Sequence, residues 1–338
     1  MTTTGMNDGL ATATARRGLW LYGLFAIVLS GISHSGAAQE YPSRPIRLVV
    51  PQAAGSSTDI IARMLGDHLG ATLKQQVVVE PRPGAGGSIG AAIVAKSPGD
   101  GYTLLMANSG PLAINAGLYR ELPYDPVKDF APIALVAVGP YVLLAHPSLP
   151  VKSVKELVNL ARKRPQELTF ASGGNGTGTH LSGELLKQAM GIRMLHVPYK
   201  GSGPGLVDLM AGQVSIMFTG VPPALPQLRA KRVRPLAVTG VRRSPVLADV
   251  PTMIEAGVRG YEVNLWLGLV APAGTLASIV QKLNAEVQAM EQQPKVKSRM
   301  SGMGLDGAST TPQEFSAFIR SEIAKWSNVI KKSGARIQ

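Results

Sequence analysis

The chain has 338 residues, 45% of them hydrophobic and 16% charged, enough apolar material for two packed lobes, which excludes a disordered protein. The formal net charge is +13, but the basic residues are scattered, only RAKRVR at 229–234 is clustered and aromatics make up 5%, so no nucleic-acid partner is expected. There is no cysteine, which excludes disulfides and thiolate metal sites, and His68, His146, His180 and His196 show no close metal-ligand spacing.

At the start of the chain, Arg16 and Arg17 precede an apolar run that begins at Leu19 and ends in small residues. That is the layout of a secretory signal, and Gly36 and Ala38 satisfy the small-residue rule for a cut after Ala38. Residues 1–38 are therefore expected to be removed, leaving a mature chain from Gln39 with a net charge of +12. The apolar run is short for a membrane span, and either general or twin-arginine export accommodates the arginine pair.

PIRLVVP at 45–51 reads as a strand, QAAGSST as a loop and DIIARMLGDHLGATL as a helix. In that helix Ile61, Met64, Leu65, His68 and Leu69 share one face, which predicts burial of that face. The unit repeats with QQVVVE, PRPGAGGS and IGAAIVAKS, and GYTLLMA then runs as a third strand into NSGPLAIN. IALVAVGPYVLLAHP at 133–147 is too extended for one ordinary strand and predicts a crossing between lobes near Gly139 and Pro140. The same grammar restarts with SVKELVNLARKRP, LTFAS, THLSGELLKQAMG and MLHVPY. After GLVDLMAGQVSIMFTG, the segment RVRPLAVTG at 232–240 is expected to be the return strand. Alternating strands and helices predict an α/β fold with a largely parallel sheet. Lobe one would comprise 39–141 and 240–338, and lobe two 142–239.

Glycine-rich loops fall between strand and helix four times, in AAGSSTD (53–59), RPGAGGS (82–88), ASGGNGTGTH (171–180) and YKGSGPG (199–205). A helix start presents unpaired N–H groups and partial positive charge, and a bare backbone lets an anion reach them. The competing explanation is that the glycines only make tight turns. No phosphate-loop lysine is present, and the dinucleotide pattern beginning at Gly84 and Gly86 fails at Ile89, so no nucleotide cofactor is expected. Neutral groups at Ser56, Ser57, Thr58, Ser172, Asn175, Thr177 and Thr179 suit a small carboxylate. The alternative is a secreted serine hydrolase using Ser88 in GGSIG, but PRPGA separates that serine from the preceding strand, which a nucleophile elbow does not allow.

The ordered series YPSRPIRLVVP, STDIIAR, EPRPGAGGSIGAAIVAKSPGDGYTLLMA, LPYDPVKDFAPIALVA, FASGGNGTGTHLSGELLK, HVPYKGSGPGLVDLMAGQVSIMF, PLAVTG and LGLVAPAGT resembles the Bug family, the periplasmic substrate-binding proteins of tripartite tricarboxylate transporters. The resemblance implies a two-lobed periplasmic-binding-protein (Venus flytrap, type II-like) fold with crossover strands. It implies a monomer without catalysis or cofactor, which delivers a carboxylate to inner-membrane transporter subunits. It also implies that Gly55, Ser56, Ser57 and Thr58 face Ser172, Gly173, Gly174, Asn175, Gly176, Thr177 and Thr179 around one carboxylate. Asn108, Ser109 and Gly110, with Tyr199, Lys200, Gly201 and Ser202, would select the rest of the ligand, beside Gly86 and Gly87. Two departures stand out: PQAAGSSTD replaces the family's usual aromatic, prolines and second glycine, and Thr219 stands where many relatives carry aspartate. Asp59 is expected to brace its helix, and Trp266 to pack in the core or hinge.

Overall fold

The computed structural model describes Met1 and residues 41–333, so the expected export signal lies outside the described residues. From Arg44 onward the chain forms one compact unit. Its first strand, β1 (Ile46–Val50), is a β-branched run, and α1 (Ser57–Leu73) follows. α1 starts where the Ser56 hydroxyl accepts from the Asp59 N–H, a cap that stabilises by ~1 kcal/mol. Ile61, Met64, Leu65 and Leu69 are buried as the periodicity requires. His68, at the margin of that face, is half-buried with Nε2 3.3 Å from Glu286.

β2 (Val77–Pro81), α2 (Ser88–Ala95) and β3 (Thr103–Asn108) complete the first units. After a π-turn at Gly110–Ile114 and the short α3 (Asn115–Leu118) comes β4 (Phe130–Ala145), a single strand of 16 residues. The second half of the molecule contains α4 (Val154–Lys163), β5 (Thr169–Ser172), α5 (Gly178–Met190), β6 (Leu195–Pro198), α6 (Ser202–Met210), β7 (Ile216–Gly220), α7 (Val221–Arg229) and β8 (Arg234–Val238). β9 (Asn264–Pro272), α8 (Ala277–Gln292), α9 (Pro294–Ser301), β10 (Asp306–Gly307) and α10 (Pro312–Ser333) close the chain.

The strand order is β2-β1-β3-β9-β4-β7-β5-β6, with β8 and β10 also paired to β4. β1 is parallel to β2 and β3, and β5 is parallel to β6 and β7, as helical crossovers demand. The centre departs from the largely parallel expectation. β9 runs antiparallel to β3 and β4, and β4 antiparallel to β7 and β8. The sheet is mixed because β4 carries the chain out of the first half and β9 is in sequence the first strand to re-enter it.

β4 is the crossing strand. Its residues Phe130–Pro140 pair with β9, and Tyr141–Ala145 pair with β7. Gly139 is required inside it because any Cβ there would lie 2.8 Å from the Gly304 carbonyl. The segment expected to return behaves differently: β8 stays beside Val142–Ala145 of β4, and the return is made by NLWLGLVAP, that is β9. Both segments are short and apolar, and only pairing distinguishes them. Trp266 of β9 is buried against Phe315 and Phe318 of α10, and its indole N–H shares the Glu322 carboxylate with Trp326.

Candidate functional site

Three helices, α1, α5 and α6, begin at one seam between the halves, each fed by a strand's carboxyl end. Ser57, Thr179 and Ser202, from their first turns, line a common cavity with Asn108, Tyr141 and Gly220. The cavity measures about 10 Å³, room for about one water molecule, so admitting a carboxylate requires the halves to separate. The N–H groups of Ser57 and Thr58, and of Gly178 and Thr179, meet no acceptor among the described residues, as expected for the opening positions of helices.

Most of the hydroxyls anticipated as ligand contacts are committed to shaping the loops. Ser56 caps α1. Thr58 donates to Gln52 and accepts from Asn108 Nδ2 at 3.1 Å, and Asn108 Oδ1 accepts from the Gly110 N–H. Thr177 caps α5 and hydrogen-bonds Thr179, which accepts from the Gly173 N–H at 2.9 Å. Ser172 accepts from the Gly174 N–H and bonds His196. Gly55 is exposed, and its N–H is held by Asp59, which also pairs with Arg63 at 3.0 Å. Asp59 thus braces the helix entry as expected. Three hydroxyls of these segments remain: Ser57 Oγ, Ser109 Oγ and Thr219 Oγ1 are buried without a hydrogen-bond partner, at a cost of about 1–3 kcal/mol each unless something pairs with them. Ser109, next to Asn108 in sequence, lies by the Tyr141 phenol, whose pKa burial raises, keeping it neutral.

A second cavity of about 220 Å³ adjoins the first at Gly173. Gly86, Gly87, Gly174, Asn175, Tyr199 and Lys200 line it. Lys200 is exposed at its mouth, whereas the Tyr199 hydroxyl donates to Asp208 and its pKa is pushed up to about 12, first by burial. A larger cavity of about 580 Å³ lies at the crossing segments near Gly139, Pro140 and Gly240. It mixes Arg242 and Lys325 with Glu262 and Asp306 and lacks converging helix starts, so size alone does not mark the site.

The glycines have a use that the sequence did not reveal: they let the two halves touch. A Cβ at Gly86 would strike the Asn175 carbonyl, and one at Gly176 would strike Asn115 Oδ1. A Cβ at Gly201 would lie 2.9 Å from the Ala53 nitrogen, and one at Gly203 2.9 Å from the Ala54 carbonyl oxygen. Gly220 admits the Ser57 hydroxyl. Beside these contacts the Ala53 N–H donates across the seam to the Lys200 carbonyl at 3.0 Å. Gln52, Tyr141, Thr219 and Gly220 were not anticipated as site residues; only the departures at 52 and 219 drew attention to that region.

Ser88 opens α2, and its hydroxyl accepts from Asn115 Nδ2 at 2.9 Å and from Tyr124. No histidine bonds it among the described residues, so the base a serine nucleophile needs is not beside it.

Two α/β halves joined by crossing strands, with helix starts converging on the seam, define the two-lobed periplasmic-binding-protein class. The profile described as "Tripartite tricarboxylate transporter family receptor" matches residues 61–335, and the chain belongs to that family of solute-binding receptors. Protein BugT of Bordetella pertussis (strain Tohama I) is 37% identical over 321 residues, covering 95% of this chain and 98% of BugT. The structure described as R. palustris Rpa4515 with adipate is 40% identical with a TM-score of 0.85, covering 87% of this chain and 99% of that one. MatC (Rpa3494) from Rhodopseudomonas palustris with bound malate is 35% identical with a TM-score of 0.83, covering 86% of this chain and 100% of that one.

Proposed function

We propose that this protein is a periplasmic receptor that closes two lobes, 39–141 with 240–338 and 142–239, on a small organic acid. The observation that carries this reading is that Ser57, Gly178 and Thr179, whose N–H groups are unpaired, line one cavity together with the unpartnered Ser57 hydroxyl. A carboxylate satisfies donors of both kinds, and two helix starts favour its charge. Lys200 is placed at the outer cavity to meet a second carboxylate, and Thr219 supplies no negative charge for a ligand amine. The adipate and malate recorded with similar structures support this ligand class. The chain acts as a monomer without turnover and hands its ligand to inner-membrane transporter subunits.

Native mass spectrometry of the purified, unrefolded protein is expected to show one organic acid per chain, with calorimetry giving the same stoichiometry. Failure to bind any mono-, di- or tricarboxylate would overturn the reading. Intact mass is expected to place the N-terminus of the exported protein at Gln39. Ser88→Ala is expected to leave affinity within about twofold, since Ser88 faces Asn115 and Tyr124; loss of a hydrolytic activity in that variant would revive the enzyme alternative.

A further inference from the structure

Behind the loop that precedes α5, three rings stack in a column. Phe170 of β5 lies 4.7 Å from His196 of β6, and His196 lies 4.2 Å from His180 of α5, with interplanar angles of 24° and 22°. Both histidines reach back to the loop. His196 Nε2 is 2.6 Å from Ser172 Oγ, which accepts from the Gly174 N–H at 3.0 Å. His180 Nδ1 accepts from the Gly176 N–H at 3.3 Å. That bond assigns His180 its tautomer: Nδ1 is the unprotonated acceptor, and the ring proton sits on Nε2, 3.9 Å from Glu184. The Gly174 and Gly176 amides are thus held inward by the stack, directly or through Ser172.

We propose that His180 and His196 are positioning residues for the proposed carboxylate site, holding the 172–177 loop in its ligand-receiving shape only while the pair is uncharged. The inference rests on the receptor reading above, but its structural core is independent of any ligand. A proton on His180 Nδ1 would set a donor against the Gly176 donor and place a cation against the neighbouring imidazole. The charged groups around the pair are Glu184 and Lys187 of α5, the latter 5.6 Å above the Phe170 ring; Ser172 and Phe170 face it from β5. Burial first, then Lys187, lowers the pKa of His180 against an opposing pull from Glu184. Burial first, then His180 and Lys187, lowers that of His196 to about 3. With both values depressed, the docked loop is fully favoured above the ordinary histidine pKa of ~6.5 and loses ground as pH falls through and below it.

The test is amide hydrogen exchange by NMR on the purified protein, corrected for intrinsic rates, for wild type, His180→Phe, His180→Gln and the control His146→Gln. Phenylalanine keeps the ring stack but removes the acceptor; glutamine restores an acceptor that does not titrate. In wild type, protection of Gly174 and Gly176 is expected to fall at least fivefold relative to β1 amides between pH 7.5 and pH 5.0. In His180→Phe the Gly176 amide should be poorly protected at both pH values, while His180→Gln should recover part of that protection and lose the pH dependence at Gly176, with Gly174 still following His196. Calorimetry with malate and adipate at pH 7.5 should show affinity following Gly176 protection across the variants. Equal Gly176 protection in wild type and a folded His180→Phe would overturn the proposal, as would a pH loss spread evenly over the sheet. If His180→Phe does not fold, His180→Gln decides alone: a pH dependence of Gly176 protection that survives undiminished in it refutes the role of His180. If neither acid binds wild type, nor any other carboxylate, the receptor reading fails, and the exchange measurements still decide the role of the stack.

Discussion

The two helix entries that meet at the seam are built from opposite chemistry. At α1 the brace is anionic: Asp59 holds the Gly55 N–H, sits in the first turn and is only partly neutralised by Arg63. At α5 the brace is neutral: Thr177, Thr179, Ser172 and His180 hold the loop, and no acid lies in the first turn. The favourable field of a helix start extends about one turn, and at α1 an internal carboxylate already occupies it. On the proposed reading, a ligand carboxylate would therefore gain more from the α5 entry, with α1 supplying shape and the unpartnered Ser57 hydroxyl.

Breaking the α5 side should produce the largest effect. Gly176 has φ +79°, and a side chain there would run into Asn115 across the seam. Gly176→Val is expected to lower affinity by more than a hundredfold by holding the lobes apart. Thermal unfolding should show a folded protein, and small-angle scattering a more open one. If affinity survives in the folded variant, the seam contact has no part in binding. Thr179→Ala comes next. It removes the acceptor of the Gly173 N–H, and leaving that buried donor unpaired costs roughly 1–3 kcal/mol, so affinity is expected to fall by up to about a hundredfold; titration calorimetry reads this directly.

The α1 side should answer with smaller changes, one of them of opposite sign. Asp59→Asn removes the competing anion while Ser56 still caps the helix, so affinity for a carboxylate is expected to rise about twofold to fivefold, from ~0.3–1 kcal/mol of helix-end electrostatics. An affinity loss with stability intact would refute the asymmetry. Gly55→Ala should give the smallest binding effect. Its φ is +77°, but an added Cβ meets nothing within 4 Å, so backbone strain of ~1 kcal/mol should appear in denaturant unfolding with affinity nearly unchanged. Together, Gly55→Ala and Gly176→Val separate the conformational use of glycine from its use as space.

Much of the fold was legible in the chain. The β-branched run 46–50 and the buried stripe through Ile61 and Leu65 are local patterns, and local physics realises them, whereas Ser56 and Thr177, expected at the ligand, cap their helices instead. The crossing at 133–147 was legible because no single-lobe strand needs that length. The return strand was misplaced, since RVRPLAVTG and NLWLGLVAP carry the same short apolar signal. The loops of the candidate site were legible as glycine-rich helix entries. Their hydroxyls were not assignable, because whether Thr58 or Ser57 has a free oxygen depends on Asn108 and Gln52 arriving from other segments.

What the sequence by itself determined is the repeated strand–loop–helix units of the first two hundred residues and the placing of bare backbone at helix starts, because helix and strand periods act within a few residues. What only the tertiary structure decided is which glycine meets which backbone, as Gly86 meets Asn175 and Gly201 meets Ala53, and that His180 and His196 stack. Those contacts join residues on different elements and, for the glycines, on opposite sides of the seam. No local pattern encodes them; they exist because the sheet pairings bring the strand ends together, and close packing then leaves no room for a side chain.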